Sequence, residues 1–315
     1  IYENRPNVTA DAFGLCFKAG NAVILKGGSG ALRSNRAITE TIRHALHASV
    51  GHADALQIIE SVDRAVTAEF MRLNRYIDVL VPRGGAGLIQ AVVENSTVPV
   101  IETGTGNCHI YVDASADILK SVPIIVNAKT QRVGVCNACE SLLVHEKALT
   151  PLLALLVPAL APFHVALRCD EASANALATL AATTFQNANA DIRQLLDGVA
   201  PATEEDYAAE YLDYIMSVKV VSDVGAAIAH VNQYNTKHSD AILTEDQVAA
   251  RRFQNEVDAA CVYVNTSTRF SDGFEFGFGA EIGISTQKLH ARGPMGLREL
   301  TSYKYLIESD YLSRS

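Results

Sequence analysis

Repeated patterns of strand, glycine-rich turn and helix constrain the fold of this chain more than any other feature. Short apolar runs at 21–26, 76–81 and 98–101 each lead into a turn that holds two or more glycines. Helix-prone sequence follows the first two of these turns, at 37–48 and 88–93. This alternation is typical of βαβ units around a mostly parallel sheet, so the sequence predicts an α/β fold.

The glycine-rich turns also bear on ligand binding. A glycine turn at the carboxyl end of a strand lets a phosphate approach backbone N–H groups at a helix start. Tight turns use glycine for steric reasons too, so each turn alone is weak evidence. Three such turns between residues 27 and 106 favour a nucleotide site. None matches the G-x-G-x-x-G fingerprint of ordinary Rossmann dinucleotide sites.

The second half of the chain continues the alternation with a different composition. The stretch 152–160 is rich in alanine and leucine. We predict helices at 172–184 and 224–231, and strands at 217–221, 241–244 and 261–265. The acidic stretch 204–206 is interpreted as a solvated helix start. The segment 266–296 has six glycines and little periodicity, and long ordered loops of this kind are usually functional.

Cys136 is the strongest candidate for chemistry. It follows the apolar segment 122–126, which we interpret as a strand, and leads toward the helix-prone residues 140–143. A cysteine near a helix start gains thiolate character from the helix N-terminus and from a nearby Lys129 or Arg132. The thiolate is the attacking form, so this placement suits a covalent catalyst. The alternative is a buried, inert thiol.

Cys136 and Cys139 also form a C-x-x-C pair, so a redox dithiol or half of a zinc site is an alternative. A zinc site needs a second ligand pair at suitable spacing, and none follows. The nearby His145 lies in what reads as an apolar strand. We therefore predict no metal site.

The net charge and the composition of the chain limit the kinds of molecule that it can be expected to bind. A net charge of −9 argues against binding to nucleic acid or to an anionic membrane surface, and no apolar stretch has the length of a bilayer span. Six cysteines scattered over 315 residues without a framework spacing indicate a reducing, cytoplasmic setting. A chain of this length is predicted to form two domains.

Six runs of sequence carry a family resemblance and occur in the expected order over nearly the whole chain. They are 2–9, 20–28, 82–89, 135–138, 265–270 and 281–297, the last of which reads EIGISTQKLHARGPMGL. With these runs the chain resembles the γ-glutamyl phosphate reductases, also called glutamate-5-semialdehyde dehydrogenases, of the aldehyde dehydrogenase superfamily.

The resemblance implies a fold of two Rossmann-like, three-layer α/β/α domains. Members of the family are longer at the N-terminus, so we expect the N-terminal part of the cofactor domain to be missing from this chain. The expected divisions are a partial cofactor-binding domain at 1–122, a catalytic domain at 123–303 and a C-terminal tail at 304–315.

The reaction implied by the resemblance is NADPH-dependent reduction of L-glutamyl 5-phosphate to L-glutamate 5-semialdehyde and phosphate, the second step of proline biosynthesis. Cys136 falls at the family nucleophile, whose thiolate attacks the acyl phosphate to form a thioester. Backbone N–H groups around Cys136 are expected to stabilise the oxyanion. Asn4 sits where hydrolytic relatives place a side-chain amide that shares this role.

The resemblance also implies the cofactor and substrate contacts. The cofactor NADPH or NADP⁺ is assigned to Lys26, Gly28, Ser29, Gly84, Gly85 and Glu210. The small residue after the lysine leaves room for a 2′-phosphate. From the residues alone, Glu210 reads as an exposed helical carboxylate. Substrate anions are assigned to Arg5, Arg269, His290 and Arg292, because arginine binds carboxylate and phosphate bidentately.

Several alternatives stay open. Glu102 lies 34 residues before Cys136 (136 − 102), the spacing at which hydrolytic aldehyde dehydrogenases place a water-activating base. A phosphate-releasing reductase must protect its thioester from water, so we interpret Glu102 as structural or as part of the cofactor site. A hydrolytic dehydrogenase and a non-catalytic fragment are the alternatives. Relatives associate as homo-oligomers, and a glutamate 5-kinase partner remains open.

Overall fold

The computed structural model describes residues 1–314. Its strands are β1 (Val23–Leu25), β2 (Leu56–Ile58), β3 (Cys108–Val112), β4 (Cys139–His145), β5 (Ala166–Cys169), β6 (Ala200–Pro201), β7 (Ile215–Val221), β8 (Ser239–Leu243), β9 (Cys261–Val264), β10 (Gly283–Ser285) and β11 (Gly293–Met295). Its helices are α1 (Asn7–Lys18), α2 (Leu32–Ser49), α3 (Arg64–Phe70), α4 (Ala86–Asn95), α5 (Ile118–Thr130), α6 (Glu146–Leu160), α7 (Glu171–Thr183), α8 (Ala190–Asp197), α9 (Glu204–Ala208), α10 (Val224–Tyr234) and α11 (Gln247–Glu256).

A seven-stranded sheet with the order β6-β5-β7-β4-β3-β8-β9 organises the larger part of the chain. Every pairing in this sheet is parallel. Helices α5 to α8 cover one face, and α10 and α11 cover the other. The predicted α/β fold is confirmed, and all-parallel sheets are covered on both faces in this way.

Side chains that alternate between the two faces of the sheet along the central strands explain why there is one hydrophobic core on each face. Ile110 and Val112 of β3 and Leu142 of β4 face the layer that contains α6, and all three are fully buried. Tyr111 and Leu143, which directly follow Ile110 and Leu142 in sequence, face α10 and α11 instead. Side chains of a strand point to opposite faces with a period of two, so each strand supplies both cores.

The N-terminal region forms a smaller βαβ unit. Strands β1 and β2 pair in parallel, and helix α2 connects them. Leu25, Leu46 and Leu56 are buried between this sheet and its helices. The predicted domain boundary at residue 122 falls inside α5, and β3 ahead of it already belongs to the seven-stranded sheet. The predicted tail 304–315 is exposed over its described residues, and residue 315 lies outside them.

Two local predictions around Cys136 are wrong. The segment 122–126 is helical and belongs to α5, which Asp117 caps by accepting from the Lys120 N–H. Residues 140–143, predicted as helix-prone, form the centre of β4. Short apolar runs do not distinguish a buried strand from a buried helix segment, and here burial on both faces decided for the strand.

Two of the predicted strands do not form, and one isolated β-bridge joins the two runs instead. In the runs 76–81 and 98–101 only Leu80 and Val100 pair, as an isolated parallel bridge. Tyr76 is 75% exposed, so the first run has no neighbour that would extend it into a strand.

We predicted that no apolar stretch has the length of a bilayer span, and this prediction is wrong: the segment Glu146–Phe163, which contains α6, is long and apolar enough by length and composition to cross a membrane. In this structure α6 packs against the sheet and buries Leu152, Leu153 and Leu156 in the main core. Its apolar character is therefore accounted for by core packing.

Candidate active site

Cys136 lies just before β4, at the amino ends of the central parallel strands. Gly106 precedes β3 on one side, and a Cβ at Gly106 would overlap the carbonyl oxygen of Cys136. The buried Cys108 thiol donates to that same carbonyl at 3.2 Å. The turn that carries Cys136 is thus held directly against β3, and glycine at 106 is required for this close approach.

Burial controls the protonation of Cys136. Loss of solvent raises the pKa of the thiol to about 11. The guanidinium of Arg83 opposes this effect and lowers the pKa, whereas the carboxylates of Glu210 and Glu281 raise it. Judged by its exposed surface, Cys136 is only partly buried, whereas the other five cysteines are buried. It is therefore the thiol that a substrate can reach.

The predicted source of thiolate stabilisation is wrong in its details. No helix begins at Cys136, since β4 follows it. Lys129 is fully buried and pairs with Glu140 at 2.6 Å, while Arg132 is exposed. The cation that lowers the pKa of Cys136 is Arg83.

Arg83 is held beside the thiol by two neighbouring segments. Its backbone joins the N-terminal segment through a parallel bridge with Tyr2. Its guanidinium covers Gly283 of β10, where a Cβ would overlap Nη1. Glu281 lies near both Arg83 and Cys136, and its carboxylate accepts from the Gly273 N–H at 2.9 Å.

Arg269 is the second arginine near Cys136. Burial lowers the pKa of its guanidinium, and a Cys136 thiolate would raise it. Its Nε donates to Gln131 Oε1 at 2.9 Å. Asn137, the residue after the candidate nucleophile, donates from Nδ2 to the Arg269 carbonyl at 3.2 Å. The predicted contact group Arg269 is therefore brought together with Cys136.

The residues assigned to the ribose gather around the turn after β1. Lys26 is buried, its Nζ donates to the Gly27 carbonyl at 3.1 Å, and desolvation lowers its pKa. Gly28 and the exposed Ser29 begin a short 3₁₀ turn. Asn4, which we predicted beside the oxyanion, lies against this turn: a Cβ at Gly28 would contact its Oδ1 at 2.5 Å.

Gly84 and Gly85 stand at the N-terminus of α4, where they were predicted to approach a pyrophosphate. The Gly85 N–H donates to the exposed Glu3 carboxylate at 3.1 Å, and a Cβ at Gly84 would meet that carboxylate at 2.6 Å. A carboxylate therefore occupies a position that suits an anion, as expected for a helix N-terminus. The chemistry of this end fits the phosphates of a dinucleotide.

Glu210 lies next to the nucleophile turn. Its Oε1 accepts from the Gly106 N–H at 2.7 Å, and burial raises its pKa. It lies in the segment between α9 and β7 and is partly buried. The reading from residues alone, an exposed helical carboxylate, is wrong because Glu210 is neither helical nor fully exposed.

The remaining predicted substrate contacts are more scattered. Arg5 is exposed and close enough to Arg83 to lower the pKa of its guanidinium. His290 bonds to the Glu299 carbonyl at 2.7 Å, and Arg292 Nη2 donates to Asp258 at 2.8 Å. His290 therefore bonds to the segment around β11, and Arg292 bonds to the loop after α11.

The alternatives drawn from Glu102 and Cys139 receive little structural support. The Glu102 backbone N–H bonds to the side chain of Gln287, and the carboxylates that shift the pKa of Cys136 are Glu210 and Glu281 instead. Cys139 is fully buried in β4. Within residues 1–314 no group of three or more His, Cys, Asp or Glu side chains is placed to hold a metal ion.

Sequence reasoning missed two functional candidates, Arg83 and Glu281. Both lie in the runs that carried the resemblance, at 82–89 and 281–297. The signal for Arg83 was a single basic residue in a glycine-rich turn, but its distance of 53 positions from Cys136 (136 − 83) hid their proximity.

The sequence and the fold of this chain are similar to those of known proteins. A family model described as "Aldehyde dehydrogenase family" matches residues 195–305. Gamma-glutamyl phosphate reductase of Agathobacter rectalis is 59% identical over 98% of this chain and 70% of its own length. The enzyme of the same name from Lachnospira eligens is 57% identical over 98% of this chain and 69% of its own length. The crystal structure of gamma-glutamyl phosphate reductase from Thermotoga maritima superimposes with a TM-score of 0.90 and 50% identity, covering 100% of this chain and 71% of that one.

Proposed function

The chain belongs to the γ-glutamyl phosphate reductases of the aldehyde dehydrogenase family, and we propose that Cys136 is the nucleophile of their reaction. The enzyme reduces L-glutamyl 5-phosphate to L-glutamate 5-semialdehyde and phosphate in proline biosynthesis, with a nicotinamide cofactor. One observation carries the assignment of Cys136: it is the one cysteine of six that is not buried, and Arg83 and Arg269 both lie close to it.

The chemistry follows from the thiol and its neighbours. The Cys136 thiolate attacks the acyl carbon, the C–O bond to phosphate breaks, and phosphate leaves with the bonding electrons to give a thioester. The nicotinamide, when bound, supplies the hydride that reduces this thioester. The resulting thiohemiacetal collapses to the aldehyde and returns the thiol. Backbone N–H groups of the Cys136 turn are the proposed oxyanion donors, each worth about 3 kcal/mol.

Arg83 and Arg269 have complementary proposed roles. In the free enzyme most of Cys136 is protonated at neutral pH, because its pKa is about 11. Arg83 stabilises the thiolate and favours the approach of the acyl phosphate, and Arg269 adds positive charge that attracts the anionic substrate. Arg5 adds positive charge on the same side, through its proximity to Arg83. His290 and Arg292 are bonded elsewhere, so Arg5 and Arg269 remain the proposed substrate contacts.

NADPH is the proposed cofactor. Lys26, Gly28 and Ser29 form the turn that would hold the adenosine ribose, and Ser29 is exposed there. A glycine follows Lys26 where NAD-preferring relatives carry a bulkier acidic residue, which leaves room for a 2′-phosphate. The buried Asn35 Nδ2 beside Gly27 has no hydrogen-bond partner among the described residues. Gly84, Gly85 and Glu210 complete the proposed site.

The setting of the enzyme is also a proposal. All six cysteines are free, as expected for a reducing cytoplasm. We place a homo-oligomer there, acting on a small-molecule substrate, with glutamate 5-kinase as a candidate partner. The division at 1–122 and 123–303 is better drawn ahead of β3, because β3 belongs to the main sheet.

Phosphate dependence tests the proposed chemistry. NADP⁺ reduction by glutamate 5-semialdehyde is measured with and without phosphate, for this chain and for Cys136→Ala. We expect activity that requires both phosphate and Cys136. Phosphate-independent activity that is lost in Glu102→Gln would instead establish hydrolytic chemistry. Circular dichroism of both proteins controls for folding.

A further inference from the structure

A cavity of about 560 Å³ opens between α5 and the loop 265–275 that follows β9. This volume lies within the range of small-ligand sites. Three charged side chains line it, Arg269 with one positive charge and Asp272 and Glu275 with two negative charges. The proposed chemistry at Cys136 uses Arg269 but leaves the two carboxylates without a role.

The loop that lines this cavity is bonded to the nucleophile turn. Asn137 Nδ2 donates to the carbonyls of Arg269 and Ser271, at 3.2 and 3.0 Å. Thr268 Oγ1 donates to the Asn137 carbonyl at 2.7 Å. Because Asn137 directly follows Cys136, these bonds fix the loop that lines the cavity relative to the thiol.

The charged groups are arranged to receive a ligand that carries both signs. Asp272 is close enough to Arg269 to affect its pKa. Asp272 Oδ1 accepts from the Phe274 N–H at 2.8 Å and from the Glu275 N–H at 3.4 Å. Both of these bonds use Oδ1, so Oδ2 carries no bond to another described residue and is available to a donor.

We propose that this cavity binds the α-amino-acid head of the substrate, with Asp272 and Glu275 accepting the α-ammonium and Arg269 the α-carboxylate. The inference rests on the proposed function, because it takes Cys136 as the group that meets the other end of the substrate. One cation and two carboxylates give the cavity a net negative charge, which disfavours a plain carboxylate and favours a ligand that brings an ammonium. The glutamyl chain then spans from the cavity to the thiol.

A pair of aldehydes tests this assignment. Glutamate 5-semialdehyde and 5-oxopentanoate have the same chain and carboxylate, and only the first carries an amino group. Phosphate-dependent NADP⁺ reduction is measured with both, for the parent and for Asp272→Asn. Asparagine keeps the Oδ1 acceptor of the loop and removes the charge. We expect the ratio of kcat/KM, amino over desamino, to fall about tenfold or more, as for loss of a charged hydrogen bond.

Glu275→Gln is expected to lower the same ratio, and the double variant to lower it further. Asp197→Asn, which removes an exposed carboxylate at the end of α8, is the matched control and should leave the ratio unchanged. The cyclisation of glutamate 5-semialdehyde is a property of the free substrate and cancels between variants.

An unchanged ratio in Asp272→Asn, or an equal loss for both aldehydes, overturns the proposal. Failure of the proposed function is seen separately, as phosphate-independent turnover of 5-oxopentanoate by the parent enzyme. The amino-to-desamino ratio still reports on the cavity in that case, because it compares two substrates in the same protein.

Discussion

At the scale of single residues, the reactivity of Cys136 depends on a balance between burial and one nearby cation. Burial raises the pKa of the thiol to about 11, and Arg83 is the first opposing influence. Glu210 and Glu281 act in the same direction as burial. The site therefore keeps the free enzyme mostly in the thiol form, which limits its reaction with adventitious electrophiles.

Replacing Arg83 by Gln should raise the pKa of Cys136 further. A positive charge favours the thiolate, so its removal favours the thiol, and the rate of alkylation at a fixed pH between 7 and the pKa should fall. Each unit of added pKa corresponds to about a tenfold loss in rate in this range. The measurement is the pH dependence of inactivation by iodoacetamide.

Cys136→Ala defines the background from the five buried cysteines in that experiment. Arg132→Gln is the matched control, because Arg132 is exposed and is not among the main influences on the pKa of Cys136. An Arg83→Gln enzyme that is alkylated as fast as the parent at pH 8 would show that Arg83 does not stabilise the thiolate.

At the scale of elements, a buried ion pair joins the two ends of the nucleophile turn. Lys129 in the last turn of α5 and Glu140 in β4 are both fully buried and lie 2.6 Å apart. The second oxygen of Glu140 accepts from the Leu212 N–H at 3.3 Å, two residues after Glu210. One carboxylate thus connects the turn that carries Cys136 with the segment that carries Glu210.

Glu140→Gln should destabilise the fold by about 3–5 kcal/mol, because it leaves the Lys129 ammonium buried without a counter-charge. The measurement is the free energy of unfolding from urea denaturation. Lys129→Met combined with Glu140→Leu is the control, and it should recover much of the loss since no isolated charge remains. A loss below about 1 kcal/mol in the single variant would contradict the buried pairing.

The same region shows what the sequence alone could predict. Strands β7, β8 and β9 and helix α10 follow the predicted apolar runs, whereas α11, β10 and β11 were not predicted. Cys136 could be singled out from its local setting. Local pattern failed at 122–126 and 140–143, where the run lengths suit either a strand or a helix. Contacts with distant parts of the chain determine the secondary structure of both segments. The position of Arg83 beside Cys136 likewise depends on how β10 meets the turn after residue 81.

At the scale of the whole molecule, the site is assembled at one end of the main sheet from segments far apart in the chain. Gly106, Cys136 and Glu210 precede β3, β4 and β7, and therefore lie at the amino ends of parallel strands. Ligands of open α/β sheets usually bind at the carboxyl ends. The turns that we propose to bind the cofactor, after β1 and around Gly85, come from the N-terminal part of the chain, so the proposed chemistry depends on both parts.

The exposed C-terminal segment bears on the proposed homo-oligomer. Tyr303, Tyr305, Leu306 and Ile307 are between 80% and 88% exposed, although large apolar side chains are usually covered. The segment has no strand partner among the described residues, and extended apolar segments readily add to a sheet of another copy.

We expect Tyr305→Lys with Ile307→Lys to shift the molar mass toward the monomer value of 33.8 kDa. Light scattering after size exclusion measures this mass. Ser302→Lys adds charge at an exposed position without removing apolar surface and should keep the parent mass, whereas an unchanged mass in the double variant would place the interface elsewhere.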